Sequence, residues 1–265
     1  MQILNRTGMV LHNSRFDDIR KAIEDAIRQR KNLTGANLSG FNLTGVDLSR
    51  ANLTFADLAE SDLTFANLAR ANLQGAIMHS ANLTGADMRY ANLTGANLSW
   101  ANLTSAIQSF ANLAKADLTE ANLTDAKLSF ANLAGADLTD AVLSEANLTN
   151  AYLTRANLHE AVLKMANLSF AGLFLADLTN VKLTEADLTG ANLLCANLTG
   201  ADLSCADLTE VNLSKAKLTD ANLRGANLPW ANLRHADLTR ADLNNTDLRN
   251  TNLTDANLTG ASLPS

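Results

Sequence analysis

Proline and cysteine are almost missing from this chain: each occurs twice in 265 residues. The two thiols, Cys195 and Cys205, cannot make a disulfide framework, and no C-x-x-C pair offers the spacing of a zinc site. Aromatic residues make up 5% of the chain, few for an enzyme core. Basic excess is also missing. The net charge of −6 gives no electrostatic footprint for gripping nucleic-acid phosphates directly. No apolar run approaches the ~18 residues of a membrane span. The opening "MQILNRTGMVLHNS" lacks the apolar stretch of a secretory signal. Asn-Leu-Thr, a glycosylation acceptor in a secretory pathway, recurs from Asn32 onward, so a cytoplasmic location is the expectation.

What the chain has instead is one motif, repeated. Leu recurs every five residues from Leu33 to Leu263, at 44 of 47 positions, with Met78, Met88 and Gln108 as the exceptions. Two residues before it stands Ala at 39 of the 47; the residue before is usually Asn or Asp, and the residue after is usually Thr or Ser. A period of five is wrong for a helix, in which five residues turn by about 140° and would spread the Leu residues over all sides. It is wrong for a straight strand, in which side chains alternate and every second Leu would face out. The chain must turn once per repeat. Three extended residues and a two-residue corner put Ala and Leu inside each time, and successive coils stack as parallel strands. The predicted fold class is an all-β solenoid with a solid interior and no lumen for a ligand.

The units "ANLTG", "ADLTE" and "ANLSF" resemble the A(D/N)Lxx motif of the pentapeptide repeat family, over residues 31–263. That resemblance implies a right-handed quadrilateral parallel β-helix, with four pentapeptides to the coil. A period of 20 then sorts the chain into four faces. Five aromatics two residues past the repeat's Leu position, Tyr90, Phe110, Phe130, Phe170 and Trp230, share one phase of 20. Nearly twelve coils at ~4.8 Å each would make a rod of roughly 55 Å.

Residues 1–30 differ, and residues 31–265 are expected to form one uninterrupted solenoid. "QILN" and "MVLH" read as two strands around a turn at Gly8. Ser14 is expected to start a helix whose apolar face carries Phe16, Ile19, Ile23, Ala26 and Ile27. A hairpin and helix here would cap the exposed end of the apolar stack.

Catalytic chemistry is not visible. The four histidines, His12, His79, His159 and His235, do not converge, and there is no phosphate-cradling loop. The expectation is a non-enzyme without metal or cofactor. Gln108, at an interior position, calls for either a backbone or water partner, or a bulge that turns Ile107 inward.

Partner contacts are the remaining possibility, and two surfaces stand out. The face with Leu38, Leu58 and so on holds Asp57, Glu60, Asp117, Glu120, Asp137, Asp140, Glu160, Asp177, Asp220 and Asp237 against Lys217 and Arg240. Ten acids against two bases give −8. The face with Leu33 and Leu53 holds Lys115, Arg155, Lys215 and Arg234 against Asp255, or +3, and the other two faces net −3 and −1. The second surface is apolar: Phe110, Phe130 and Phe170 along one edge, with Tyr152, Phe174, Leu175, Leu194 and Cys195 beside them. Both are read as protein-binding, against the alternatives that the acids only set solubility and the aromatics only stiffen the stack. The family resemblance adds a specific partner, since some members bind DNA gyrase by imitating B-form DNA, and it implies a homodimer through the C-terminal coil. A structural or regulatory component is the remaining alternative.

Overall fold

The computed structural model describes residues 1–264. From residue 32 onward it is a parallel β-helix built in units of five. Parallel bridges join each residue before a Leu to the residue 20 further on, from Asn37–Asp57 to Asp242–Ser262, without a slip. Four pentapeptides therefore make one coil.

Each corner is a four-residue turn. The Ala36 N–H donates to the Leu33 carbonyl at 3.0 Å, and Gly35 between them has φ 67°. Every equivalent residue, from Gly35 through Phe55, Glu60 and Tyr90 to Gly260, is left-handed too, whatever its side chain. For a residue with a Cβ this costs on the order of 1 kcal/mol. Stacking offsets that cost. The corner N–H of Phe55 donates to the Gln74 carbonyl at 2.9 Å, and the Leu38 N–H donates to the Asp57 carbonyl at 2.7 Å in the coil beyond.

The Asn-x-Thr trio braces the turn. The Asn82 Oδ1 accepts both the N–H (3.2 Å) and the hydroxyl (2.7 Å) of Thr84. Polar residues before and after each Leu are thus part of the wall. Inside, Leu and Ala are shut off from water almost throughout, with Leu33 through Leu243 at 0–1% exposure. Each such Leu contributes about 1.5–3 kcal/mol by leaving water.

Gln108 points into this stack at 0% exposure, and neither side-chain atom has a hydrogen-bond partner. The bulge and the backbone partner expected for it are both not found. There is no bulge, because Ile107 keeps its outward register, bridged to Asp87 and Lys127. There is no backbone partner either, because the column above and below is Met88 and Leu128, whose main chains are fully engaged in the coil.

The N-terminal segment folds over the first coil. Strands β1 (Gln2–Leu4) and β2 (Val10–Asn13) pair antiparallel, and α1 spans Ile19–Arg28. The Asn37 N–H donates to the Leu4 carbonyl (2.8 Å), and the Arg6 N–H to the Gly35 carbonyl (3.1 Å), so the hairpin extends the wall of the solenoid. Ile3, Ala22, Ile23 and Ala26 join the buried cluster that continues into Leu33 and Leu38. The helix starts four residues later than Ser14 would have it. Asp18 is its N-cap and accepts the Lys21 N–H at 3.0 Å, while Ser14 Oγ accepts the Phe16 N–H in the turn before. Phe16 therefore precedes the helix. Beneath it, His12 and Asp25, both buried, meet at 3.0 Å and tie β2 to α1.

Candidate partner-binding faces

The coil has a first face (Leu33, Leu53 and on), a second (Leu38), a third (Leu43) and a fourth (Leu48). The left-handed corner residues form the edges between them. Those at 50, 70 and 90 run between the fourth and first faces. Those at 35, 55 and 75 run between the first and second, and those at 40, 60 and 80 between the second and third.

On the first face the residue before each Leu is Asn from Asn32 to Asn132, and the side chains bond in pairs along the rod. Asn52 donates to Asn32 (3.0 Å), Asn92 to Asn72 (3.0 Å) and Asn132 to Asn112 (3.1 Å). Tyr152 and Gly172 break this column, and it resumes with Asn212 donating to Asn192 at 3.1 Å. At the break and one coil past it, Phe174 and Leu194 take positions otherwise filled mostly by Thr or Ser. Backbone bonds fix them in consecutive coils: the Arg155 N–H donates to the Phe174 carbonyl (2.9 Å), and the Leu175 N–H to the Leu194 carbonyl (3.1 Å). Tyr152 is exposed and Leu175 just so, whereas Phe174, Leu194 and Cys195 are half-buried.

The aromatic edge is shorter than expected. Tyr90, Phe110 and Phe130 stack face to face, with ring centroids 5.0 Å apart in each pair, and the Arg70 guanidinium sits 4.9 Å over Tyr90. Asn150 ends this ladder. Phe170 does not belong to it and lies over Gly190 instead, where an added Cβ would come within 2.7 Å of the ring.

The acidic stripe divides into two kinds of carboxylate. Asp117, Asp137 and Asp177 brace their corners: each accepts the N–H of Thr119, Thr139 or Thr179 at 3.0–3.1 Å and its hydroxyl at 2.5–2.7 Å. Asp57 accepts the Ala59 N–H at 3.2 Å and lies 3.9 Å from Arg6. Asp237 in the same column shows the electrostatic result, since the Thr239 hydroxyl and N–H hold its carboxyl below the usual range. Glu60, Glu120, Asp140 and Glu160 are different: they stand exposed on the second–third edge. Glu120, Asp140 and Glu160 occupy successive coils, ~4.8 Å apart. The expected apolar and acidic surfaces are neighbours, and the edge carrying Lys115, Arg155, Leu175 and Cys195 separates them.

Among the described residues no group of three or more His, Cys, Asp or Glu side chains is placed to hold a metal ion, and both cysteines are free. Nor is any helix among the described residues long and apolar enough to cross a membrane.

An unbroken five-residue register, twenty-residue coils and left-handed corners define a pentapeptide repeat β-helix. The model of pentapeptide repeats matches in eight copies between residues 32 and 264, and the chain belongs to that family. Among solved structures it is similar to HetL, a pentapeptide repeat protein involved in heterocyst differentiation regulation from the cyanobacterium Nostoc sp. strain PCC 7120. The identity is 34% over 91% of this chain and 95% of that one, with a TM-score of 0.39. Rfr23, from the cyanobacterium Cyanothece 51142, is 36% identical over 38% of this chain and 63% of its own, with a TM-score of 0.23. QnrB1, a plasmid-mediated fluoroquinolone resistance protein, is 22% identical over 74% and 87%, with a TM-score of 0.37. No curated protein matches.

Proposed function

We propose that this chain is a non-catalytic rod that holds a protein partner on its first face, centred on Tyr152, Phe174, Leu175 and Leu194, with Phe130 and Phe170 at the flanking edge. The observation that carries this reading is the break in the Asn column. Side chains that elsewhere bond along the rod give way, over consecutive coils, to exposed and half-buried apolar groups. Such clusters are where binding energy concentrates. The test is affinity capture with wild type and with a Tyr152→Ser/Leu175→Ser variant, both residues being exposed and dispensable to the core. A partner retained equally by both proteins sinks the reading.

A second reading rests on the exposed acids Glu120, Asp140 and Glu160. A regular row of negative charge along a rod is a surface that an enzyme acting on DNA, such as gyrase, would accept in place of phosphates. Changing these three residues to Lys leaves the bracing carboxylates intact. If the wild-type protein alters gyrase supercoiling and the triple variant does so equally, the edge is not the recognition element. A wild type without effect ends this reading.

A further inference from the structure

We propose that the cleft between the end of α1 and the first two coils binds a small, multiply charged phosphate-bearing anion. The cleft measures about 520 Å³ and is lined by Arg30, Lys31, Asn32, Ser49, Arg50 and Asn52, over a floor of Ile27 and Ala51. Its volume is that of a small-molecule site.

The donor set is one-sided. Three cations line the cleft and no carboxylate does. Elsewhere on the rod some arginines pair with an acid, Arg89 with Asp87 at 2.6 Å, Arg240 with Asp220 at 2.6 Å and Arg249 with Asp247 at 2.7 Å, while others, such as Arg70 over Tyr90, stand singly. Among the described residues Arg30, Lys31 and Arg50 have no carboxylate within ion-pair distance. The neutral groups lean the same way. The Asn32 Oδ1 is already engaged by Thr34 and Asn52, and the Asn52 Oδ1 by Thr54, whereas the Asn32 amide nitrogen and the Ser49 hydroxyl remain free to donate. Two arginines, a lysine, an asparagine and a serine lining one space carry the donors that an oxyanion of high charge calls for.

The cations are not needed to finish the helix. The Lys31 N–H donates to the Ala26 carbonyl (2.9 Å) and the Arg30 N–H to the Ile27 carbonyl (2.8 Å), so backbone groups close the C-terminus in a Schellman arrangement. Arg30 takes the left-handed position of that motif, φ 56°, where glycine is the unstrained choice, and Arg50 stands at φ 58°.

This geometry supplies a clean test, because Arg30→Gly and Arg50→Gly each remove a cation at a position that glycine occupies without strain. Inorganic pyrophosphate is titrated calorimetrically into wild type at low salt. Binding is expected, weakened about tenfold or more by either substitution and lost in the double variant. Lys115→Gly, which removes a cation from another left-handed corner, is expected to bind as wild type does. The proposal is overturned if wild type does not bind pyrophosphate, if the double variant binds it equally, or if Lys115→Gly weakens it as much. Sedimentation with phosphatidylglycerol vesicles in the absence of pyrophosphate binding would point to a membrane surface and overturn it as well. None of these outcomes depends on the first-face partner.

Discussion

The two ends of the rod solve the same problem differently. At the N-terminal end the hairpin bonds to the open edge of the first coil, and Ile3, Ile23 and Ala26 cover the apolar stack. At the far end Leu243 is the last Leu whose N–H is bonded into a following coil, and exposure rises from 0% there to 56% at Leu263. Two polar substitutions lie near this end. Thr246 and Thr251 replace Ala, and their hydroxyls donate to main-chain carbonyls, Leu243 at 2.5 Å and Leu228 at 2.7 Å. In a linear stack each coil is held only by its neighbours, so local stability should be high at the covered end and fall toward the open one.

The strongest way to break that contrast is to unseat the cap. Ile23→Asp places an unpaired charge against Leu33 and Leu38 and is expected to cost about 3–5 kcal/mol, seen as a lower urea midpoint and loss of amide protection in the first coils. Unchanged protection there would mean that the cap is not what holds this end. Next is Gln108→Leu, which removes a buried amide with no partner. A gain of about 1–3 kcal/mol is expected in the same urea series, against no gain if the amide is hydrogen-bonded in solution. Thr246→Val, near the open end, should cost only about 0.5–1.5 kcal/mol through its lost hydroxyl bond. A larger loss would show that the last coils are as tightly held as the first.

Acid should narrow the difference between the ends. The His12 hydrogen bond, followed by that of Gln29, holds the Asp25 carboxyl below its ordinary value of 3.8. A lowered native value means that the bond stabilises the cap above 3.8, and that this contribution fades as pH drops through the lower folded value. Amide exchange in α1 should therefore accelerate selectively at acid pH in wild type, and Asp25→Asn should remove that dependence.

Pairing of the C-terminal coils about a two-fold axis, which the family resemblance implies, is the mode of association we propose. Scattering is then expected to give a dimer of twice the single-rod length. A dimer of single length, abolished by Tyr152→Ser, would move the contact to the first face.

The period of five was legible because one interior choice recurs at nearly every coil position, so no single deviation could obscure it. The cap was legible in outline, but its helix start was not. Ser14 and Asp18 are both competent caps, and only packing against the first coil selects Asp18. Gln108 was visible as an exception while its environment was not, since the neighbours that leave it without a partner lie 20 residues away on either side. The cleft was missed for a different reason. Charge summed face by face over the repeats leaves out Arg30 and Lys31, which stand at the junction with the cap, and averages Arg50 with acids far along the rod. Arg30, Arg50 and Arg70, three arginines at a spacing of 20, were the available signal.

The corners carry one more consequence. Because every fifth residue turns the chain through about a quarter of a circle, and because the turn ignores side-chain identity, the rod behaves as an indexed shaft. Adding 20 residues between Arg50 and Tyr152 would slide the apolar patch away from the cleft by ~4.8 Å and leave their angle unchanged. Adding five would rotate the patch to the next face with almost no slide. Insertion length alone therefore dials distance and direction separately, so two sites on this chain can be re-aimed without altering a single contact residue in either.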